Sequence, residues 1–174
     1  MIGWDQRLER WVVHHRTEAF DTFFVALSHI GSYGIVWFVL AVIAALVLRR
    51  PVIFPLVVAA YFAASVVVDV LKVSIDRQRP VGHTLVTEPT SSSFPSGHAA
   101  TSFACAATLA PFVSRTGAVV LYVLAAGIAY SRVYVGVHYP LDVLAGAAIG
   151  LLVATALRRL RAALQRSRRS PTEG

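Results

Sequence analysis

Five apolar runs leave this sequence few folds to choose from: Tyr33–Leu48, Val52–Leu71, Ala99–Val113, Ala118–Tyr130 and Leu141–Leu157. With its flanks, each approaches the roughly 20 helical residues that cross about 30 Å of hydrocarbon. The chain is 56% hydrophobic and only 14% charged, with a mean hydropathy of +0.65. A soluble domain carries about 25% charged residues. The expected fold is therefore all-α, a transmembrane helical bundle of five full spans. A short apolar piece, Phe20–Ile30, leaves room for a sixth. The single Cys105 lies inside an apolar run, which excludes a disulfide framework and reads as a small packing residue.

The N-terminal segment, residues 1–30, mixes acids and bases from its first turn and lacks the basic-then-apolar order of a cleaved signal. Trp4, Leu8, Trp11 and Val12 share one helical face, with Asp5, Arg7, Glu9 and Arg10 elsewhere, the pattern of an amphipathic interfacial helix. Residues 1–158 read as one transmembrane domain and 159–174 as a basic tail ending in a disordered SPTEG. The net charge of +7 does not point to nucleic acid, because the bases crowd the tail directly after the last span. There they anchor topology and attract anionic head groups.

Arg49, Arg50, Arg115 and the arginine tail fall on one face by alternation of spans, and the positive-inside rule makes that face cytoplasmic. The opposite face receives Asp76–Phe94 and Ser131–Pro140, so His98 and His138 both return to the extracytoplasmic side. That side also carries Lys72, Arg77, Arg79 and Arg132, with only Asp69, Asp76, Glu88 and Asp142 as nearby acids. A cation at mid-bilayer costs about 2.5–3.5 kcal/mol and needs an anionic partner or a wet cavity. Arg77 alone suits an interfacial anchor held by local ion pairs. The cluster as a whole suits a pocket waiting for an external anion.

Three stretches carry the chemistry. In KVSIDRQRP, Lys72–Pro80, the proline is expected to end the helix at Arg79 and free its guanidinium, a planar fork for phosphate oxygens. In PSGH, Ser96 is a plausible N-cap with Gly97 and His98 in the following first turn. A helix N-terminus offers unsatisfied N–H groups and partial positive charge, and glycine lets an anion approach them. In SRVYVGVHYPLD, Pro140 opens the last span, His138 stands at its mouth and Asp142 follows one turn on. A carboxylate beside an imidazole fixes its tautomer and leaves the other nitrogen nucleophilic.

Together these stretches resemble the signature of the type 2 phosphatidic acid phosphatases, the PAP2 family: Lys, six residues, Arg-Pro; Pro-Ser-Gly-His; Ser-Arg, five residues, His, three residues, Asp. All fixed positions match, in order, from residue 72 to 142. The resemblance implies that His138 attacks phosphorus and forms a phosphohistidine, that Asp142 orients it, and that His98 acts as general acid and then base. It implies that Lys72, Arg79, Ser96, Gly97 and Arg132 hold the phosphoryl oxygens, with Ser131 outside direct contact.

No metal and no cofactor are expected, since the face lacks the convergent oxygen ligands of a Mg²⁺ site and its arginines disfavour a cation. His14, His15, His29 and His83 lie outside the motifs and read as interfacial or loop residues. Asp69, inside a span, reads as a packing or hydrogen-bonding residue rather than a catalyst, although an intramembrane acid can also be functional. The expected partners are the bilayer and a lipid phosphate, foremost a polyprenyl diphosphate or monophosphate such as the undecaprenyl or decaprenyl carrier. Phosphatidylglycerophosphate or phosphatidic acid is the alternative substrate, in a bacterial plasma membrane. A vanadate-dependent haloperoxidase shares the anion-binding constellation but is soluble. A lipid transporter or scramblase is the reading of another class.

Overall fold

The computed structural model describes residues 3–82, 84–87 and 90–167, so His83, Glu88 and the SPTEG end lie outside the described residues. Seven α-helices follow in order: α1 (Trp4–His14), α2 (Glu18–Ile30), α3 (Ile35–Val47), α4 (Ile53–Ile75), α5 (Gly97–Leu109), α6 (Arg115–Tyr134) and α7 (Pro140–Ser167). Short 3₁₀ turns at Ser32–Gly34 and Ala110–Phe112 extend the third and fifth helices, and no strand occurs among the described residues.

α5 is the axis of the bundle. It packs most extensively on α7, then on α4 and α6. Small residues make this possible: Ala99, Ala100, Ala104, Ala106 and Ala107 are all buried. On α7, Gly146 and Gly150 let the backbone of α5 come so close that an added Cβ would collide with the carbonyl oxygens of Ser96 and Ala100. Such close approach replaces the hydrophobic drive that lipid cannot supply between helices. A second core gathers Trp37, Ile53, Leu109 and Ile128, where the Trp37 indole donates to Ser102 Oγ at 3.2 Å.

α4, α6 and α7 are long and apolar enough to cross a membrane, and α2 with α3 makes a fourth candidate bent by 57°. The bend falls where Tyr33 (φ 57°) and Gly34 (φ 70°) both turn left-handed, which interrupts the helical hydrogen-bond ladder. α5 is only 13 residues long, about 20 Å at 1.5 Å per residue, and falls short of a full span by itself.

One expectation is corrected. α4 stops at Ile75, where Asp76 takes φ 43° and caps the helix, so Pro80 is not what ends it. On α1, Trp4, Leu8 and Trp11 are exposed, whereas Asp5 and Glu9 turn inward with Val12. The acidic side faces the bundle because a basic partner waits there. α7 runs without a break through residue 158 to Ser167.

Candidate active site

The loop between α4 and α5 is stitched by its serines. Ser93 N–H and Ser92 Oγ both donate to the Arg77 carbonyl, at 2.8 and 3.2 Å, and Ser93 Oγ donates to the Gln78 carbonyl at 3.1 Å. This folds the loop back on itself and aims Arg79 inward. Its Nε donates to the Ser91 carbonyl at 2.7 Å, its Nη2 to the Ser92 carbonyl at 3.2 Å and its Nη1 to the Val137 carbonyl at 2.8 Å. Ser91 Oγ accepts from Lys72 Nζ at 3.0 Å and from Arg79 Nη2 at 3.3 Å, so one hydroxyl holds two cations side by side. No motif points to Ser91; only its place in a run of serines marks it.

Arg79 Nη1 also lies 3.4 Å from Nε2 of His138. A guanidinium only donates, so Nε2 presents its lone pair and the ring proton belongs on Nδ1. Nδ1 faces Asp142 Oδ2 at 3.5 Å, too long for a formed hydrogen bond. Asp142 is instead held by others. Oδ1 accepts from Arg77 Nη1 at 2.6 Å and Oδ2 from the Tyr139 N–H at 2.9 Å. Arg77 Nη2 reaches Asp5 Oδ2 at 2.6 Å, and Asp5 Oδ1 accepts from the Leu141 N–H at 2.9 Å, at the start of α7. Asp5 thus answers the question raised by the inward acidic face of α1. Sequence periodicity could not have found it, since its partners lie 72 and 136 residues away.

His138 sits in the turn between α6 and α7 and is almost completely buried. Burial pushes its pKa down to about 4, with Arg79 and Arg132 adding to the effect and Asp142 opposing it. The imidazole is neutral at pH 7 and available as a nucleophile. Burial disfavours the charge on Arg77, but its hydrogen bond to Asp5 and the nearby Asp142 outweigh that and hold its pKa above the ordinary value.

Ser96 stands at the N-cap of α5, but its hydroxyl makes no capping bond and is buried without a partner. Instead its N–H donates to the Asp142 carbonyl at 2.9 Å, which ties α5 to α7. Gly97 is open on its Cα side: an added Cβ would meet only Val68, at 3.7 Å. His98 Nε2 is 3.3 Å from Ser32 Oγ, which in turn donates to the Ser28 carbonyl at 3.2 Å. Arg132 donates to Ser28 Oγ and keeps a buried, unpartnered Nε.

Lys72, Gly97, His98 and Arg132 line one cavity of about 640 Å³ between α2, α4, α5 and α6. Arg79 and His138 are not on its wall: Ser91 Oγ joins Arg79 to Lys72, and Arg79 Nη1 lies 3.4 Å from His138. The two histidines stand close enough to act on each other electrostatically. All eight expected site residues therefore gather at one end of the bundle. Ser131 is turned away, donating to the Ile128 carbonyl at 2.7 Å. Asp69 is neither packed nor hydrogen-bonded within the described residues; it is exposed on the cavity wall.

Residues 53–166 match the PAP2 superfamily. The chain is 35% identical over 147 residues to a decaprenylphosphoryl-5-phosphoribose phosphatase of Mycobacterium tuberculosis, covering 82% of this chain and 81% of that one. It is 30% identical over 154 residues to an undecaprenyl-diphosphatase of Sulfolobus acidocaldarius, covering 86% and 74%. Its fold superposes with a TM-score of 0.76 and 27% identity on the transmembrane PAP2-type phosphatidylglycerolphosphate phosphatase of Bacillus subtilis, over 97% of this chain and 87% of the other. The segments Lys72–Pro80, Pro95–His98 and Ser131–Asp142 all fall inside the matched region, each places a residue on the wall of one cavity, and the chain belongs to the PAP2 superfamily.

Proposed function

We propose that this chain is a membrane lipid phosphatase that removes the terminal phosphate of a polyprenyl-linked phosphate or diphosphate through a phosphohistidine on His138. The observation that carries the reading is the pairing of a neutral, buried His138, its Nε2 facing the Arg79 guanidinium, with a cavity walled by Lys72, Gly97, His98 and Arg132.

In the proposed reaction the phosphoryl oxygens lie against Lys72, Arg79, Arg132, the Ser96 hydroxyl and the N–H groups that open α5. Nε2 of His138 forms a bond to phosphorus as the bond from phosphorus to the lipid-side oxygen breaks. His98 gives its proton to that leaving oxygen. Asp142 meets the positive charge that develops on the His138 ring. Water then attacks the phosphohistidine, His98 takes its proton, and the N–P bond returns its electron pair to His138 as phosphate departs. Fixed charges aimed at the phosphoryl group supply much of the acceleration in such reactions.

The same reading treats residues 1–158 as one phosphatase unit and 159–174 as its basic tail. α5 with its 3₁₀ extension completes five spans, shielded from lipid by its neighbours. α1 rests in the interface with Trp4, Leu8 and Trp11 toward the head groups. Arg50, Arg158 and Arg161 share a cavity at the end of the bundle opposite His98, which supports a cytoplasmic C-terminus and an extracytoplasmic site. The relatives' names support polyprenyl carriers, and the Bacillus neighbour's name supports phosphatidylglycerophosphate as the second substrate.

The test is phosphate release from purified protein given a panel of lipid phosphates, with excess chelator present. Wild type should release phosphate and His138→Ala none, and brief turnover of a phosphorus-labelled substrate should leave an acid-labile label on wild type only. Undiminished hydrolysis by His138→Ala removes the nucleophile assignment. Lipid movement without hydrolysis favours a transporter.

A further inference from the structure

Of the proposed site residues, Lys72, Gly97, His98 and Arg132 line the outer part of the cavity. Below Lys72 the α4 wall continues with Asp69, Ser65 and Tyr61, all of which line the same space. Their spacing puts them on one helix face, descending over about 16 Å from Lys72 to Tyr61 at 1.5 Å per residue. Across the cavity stand Ser32 and His98.

This wall is unusual for a membrane helix. Asp69 is exposed, has no ion-pair or hydrogen-bond partner within the described residues, and lies inside a span. Lys72 feels its charge one turn above, but no contact joins them. Ser65 and Tyr61 likewise make no hydrogen bond within the described residues. An intramembrane carboxylate is costly, faces a wet cavity or a pathway, and calls for a ligand. What Asp69 can accept is a hydroxyl or another donor. What it repels is a second anion, so a diphosphate, whose linking phosphate would extend toward it, is disfavoured at this position. Serine and tyrosine hydroxyls, which both donate and accept, suit the same partner.

We propose that Asp69, with Ser65 and Tyr61, forms a subsite for a neutral, polyhydroxylated group located between the scissile phosphate and the lipid chain. This rests on the phosphatase reading above and narrows its substrate to a lipid-linked polyol or sugar phosphate. The shared chemistry is a run of hydroxyls beside a phosphomonoester, which a pentose or a glycerol can each supply. Asp69 takes no part in bond breaking. It selects what carries the phosphate.

The experiment compares kcat/KM on four probes in detergent: a prenyl-linked pentose phosphate, a phosphatidylglycerophosphate, a prenyl monophosphate and a prenyl diphosphate. Wild type should favour at least one hydroxylated probe over both plain ones by about tenfold or more, as hydrogen bonds to a charged group allow. Asp69→Leu should erase about tenfold of that preference, and Asp69→Asn should erase part of it. Which hydroxylated probe loses more identifies the sugar or the glycerol as the source. If Asp69→Leu does not fold, Asp69→Asn and Ser65→Ala read the same ratio. An unchanged ratio in the variants, or a wild-type preference for the diphosphate, overturns the subsite alone. No release from any probe rejects the phosphatase reading, and the subsite with it.

Discussion

Arg77 donates to Asp142 across 2.6 Å, although neither the loop that carries Arg77 nor the turn before Asp142 suggests that they meet. The same guanidinium holds Asp5 at 2.6 Å and lies 4.2 Å over the Tyr139 ring. Asp142 is fully buried, and Arg77 is its cationic counterweight, with 27% of that side chain exposed. Removing one partner of a buried pair costs about 3–5 kcal/mol, and solvent access to Arg77 lowers that to about 1–3 kcal/mol. Arg77→Gln should reduce kcat by about 10–100-fold with KM changed far less, because Asp142 would no longer face His138. Asp5→Asn should act in the same direction and more weakly. Steady-state kinetics on both variants check this, and a change in KM alone would assign Arg77 to binding instead.

Ser91 makes a different prediction. Its hydroxyl holds Lys72 and Arg79 together, at 3.0 and 3.3 Å, while its carbonyl separately receives Arg79 Nε. Ser91→Ala keeps the carbonyl and loses the hydroxyl, releasing Lys72 from Arg79. Because Ser91 is exposed, the loss is about 1 kcal/mol, read as a roughly fivefold rise in KM for a lipid phosphate. A Ser91→Thr variant, which restores the hydroxyl, should recover most of it.

Much of this geometry could be read in the sequence because it depends on local rules. Pro140 opens α7 and Gly97 opens α5, since a missing N–H and a missing Cβ act within one turn. Apolar runs located the bundle. What could not be read depends on distant pairing. Asp5 and Arg77 share no period, and Asp5 is held inward by Arg77 and by the Leu141 N–H. α4 ends at Asp76 because a single residue turns left-handed, and Pro80 offered a stronger but mistaken signal. α5 is only 13 residues long and most of it is buried against its neighbours, a fact about packing that hydropathy does not register. The exposure of Asp69 is hidden for the same reason: a span's apolar average conceals which face meets the cavity.

Two glycines allow function and stability to be separated. At Gly97 an added Cβ meets only Val68 at 3.7 Å, an ordinary contact, so Gly97→Ala should fold as wild type. Its methyl would nevertheless stand beside the N–H groups that the proposed reaction offers to phosphate. Keeping the anion off one such donor should lower kcat/KM by about 10–100-fold, as removal of a donor does in comparable sites. At Gly146 the same methyl would collide with the Ser96 carbonyl and press on the Ala100 N–H. Gly146→Ala should cost about 1–3 kcal/mol of stability through overpacking. Thermal unfolding in detergent, run beside kinetics, checks both. Equal loss of melting temperature in the two variants would contradict this division.

The buried imidazole of His138 sets an acid limit on stability. Its folded pKa of about 4 lies below the ordinary value of 6.5, so the folded state binds its proton less readily than the unfolded state does. Above pH 6.5 neither state carries that proton and the group contributes no pH dependence. As the pH falls from 6.5 toward 4, unfolding takes up a proton and the fold loses stability, by an amount on the order of 3 kcal/mol at most. His138→Gln, which cannot gain the charge, should remove that portion of the slope. The measurement is the melting temperature of both proteins in detergent at several pH values between 7.5 and 4.5. Wild type should lose more on acidification than the variant, and bound phosphate, whose negative charge favours a protonated ring, should narrow the difference. Parallel curves would mean that His138 is not buried as a neutral ring, and the nucleophile would need another source for its free lone pair.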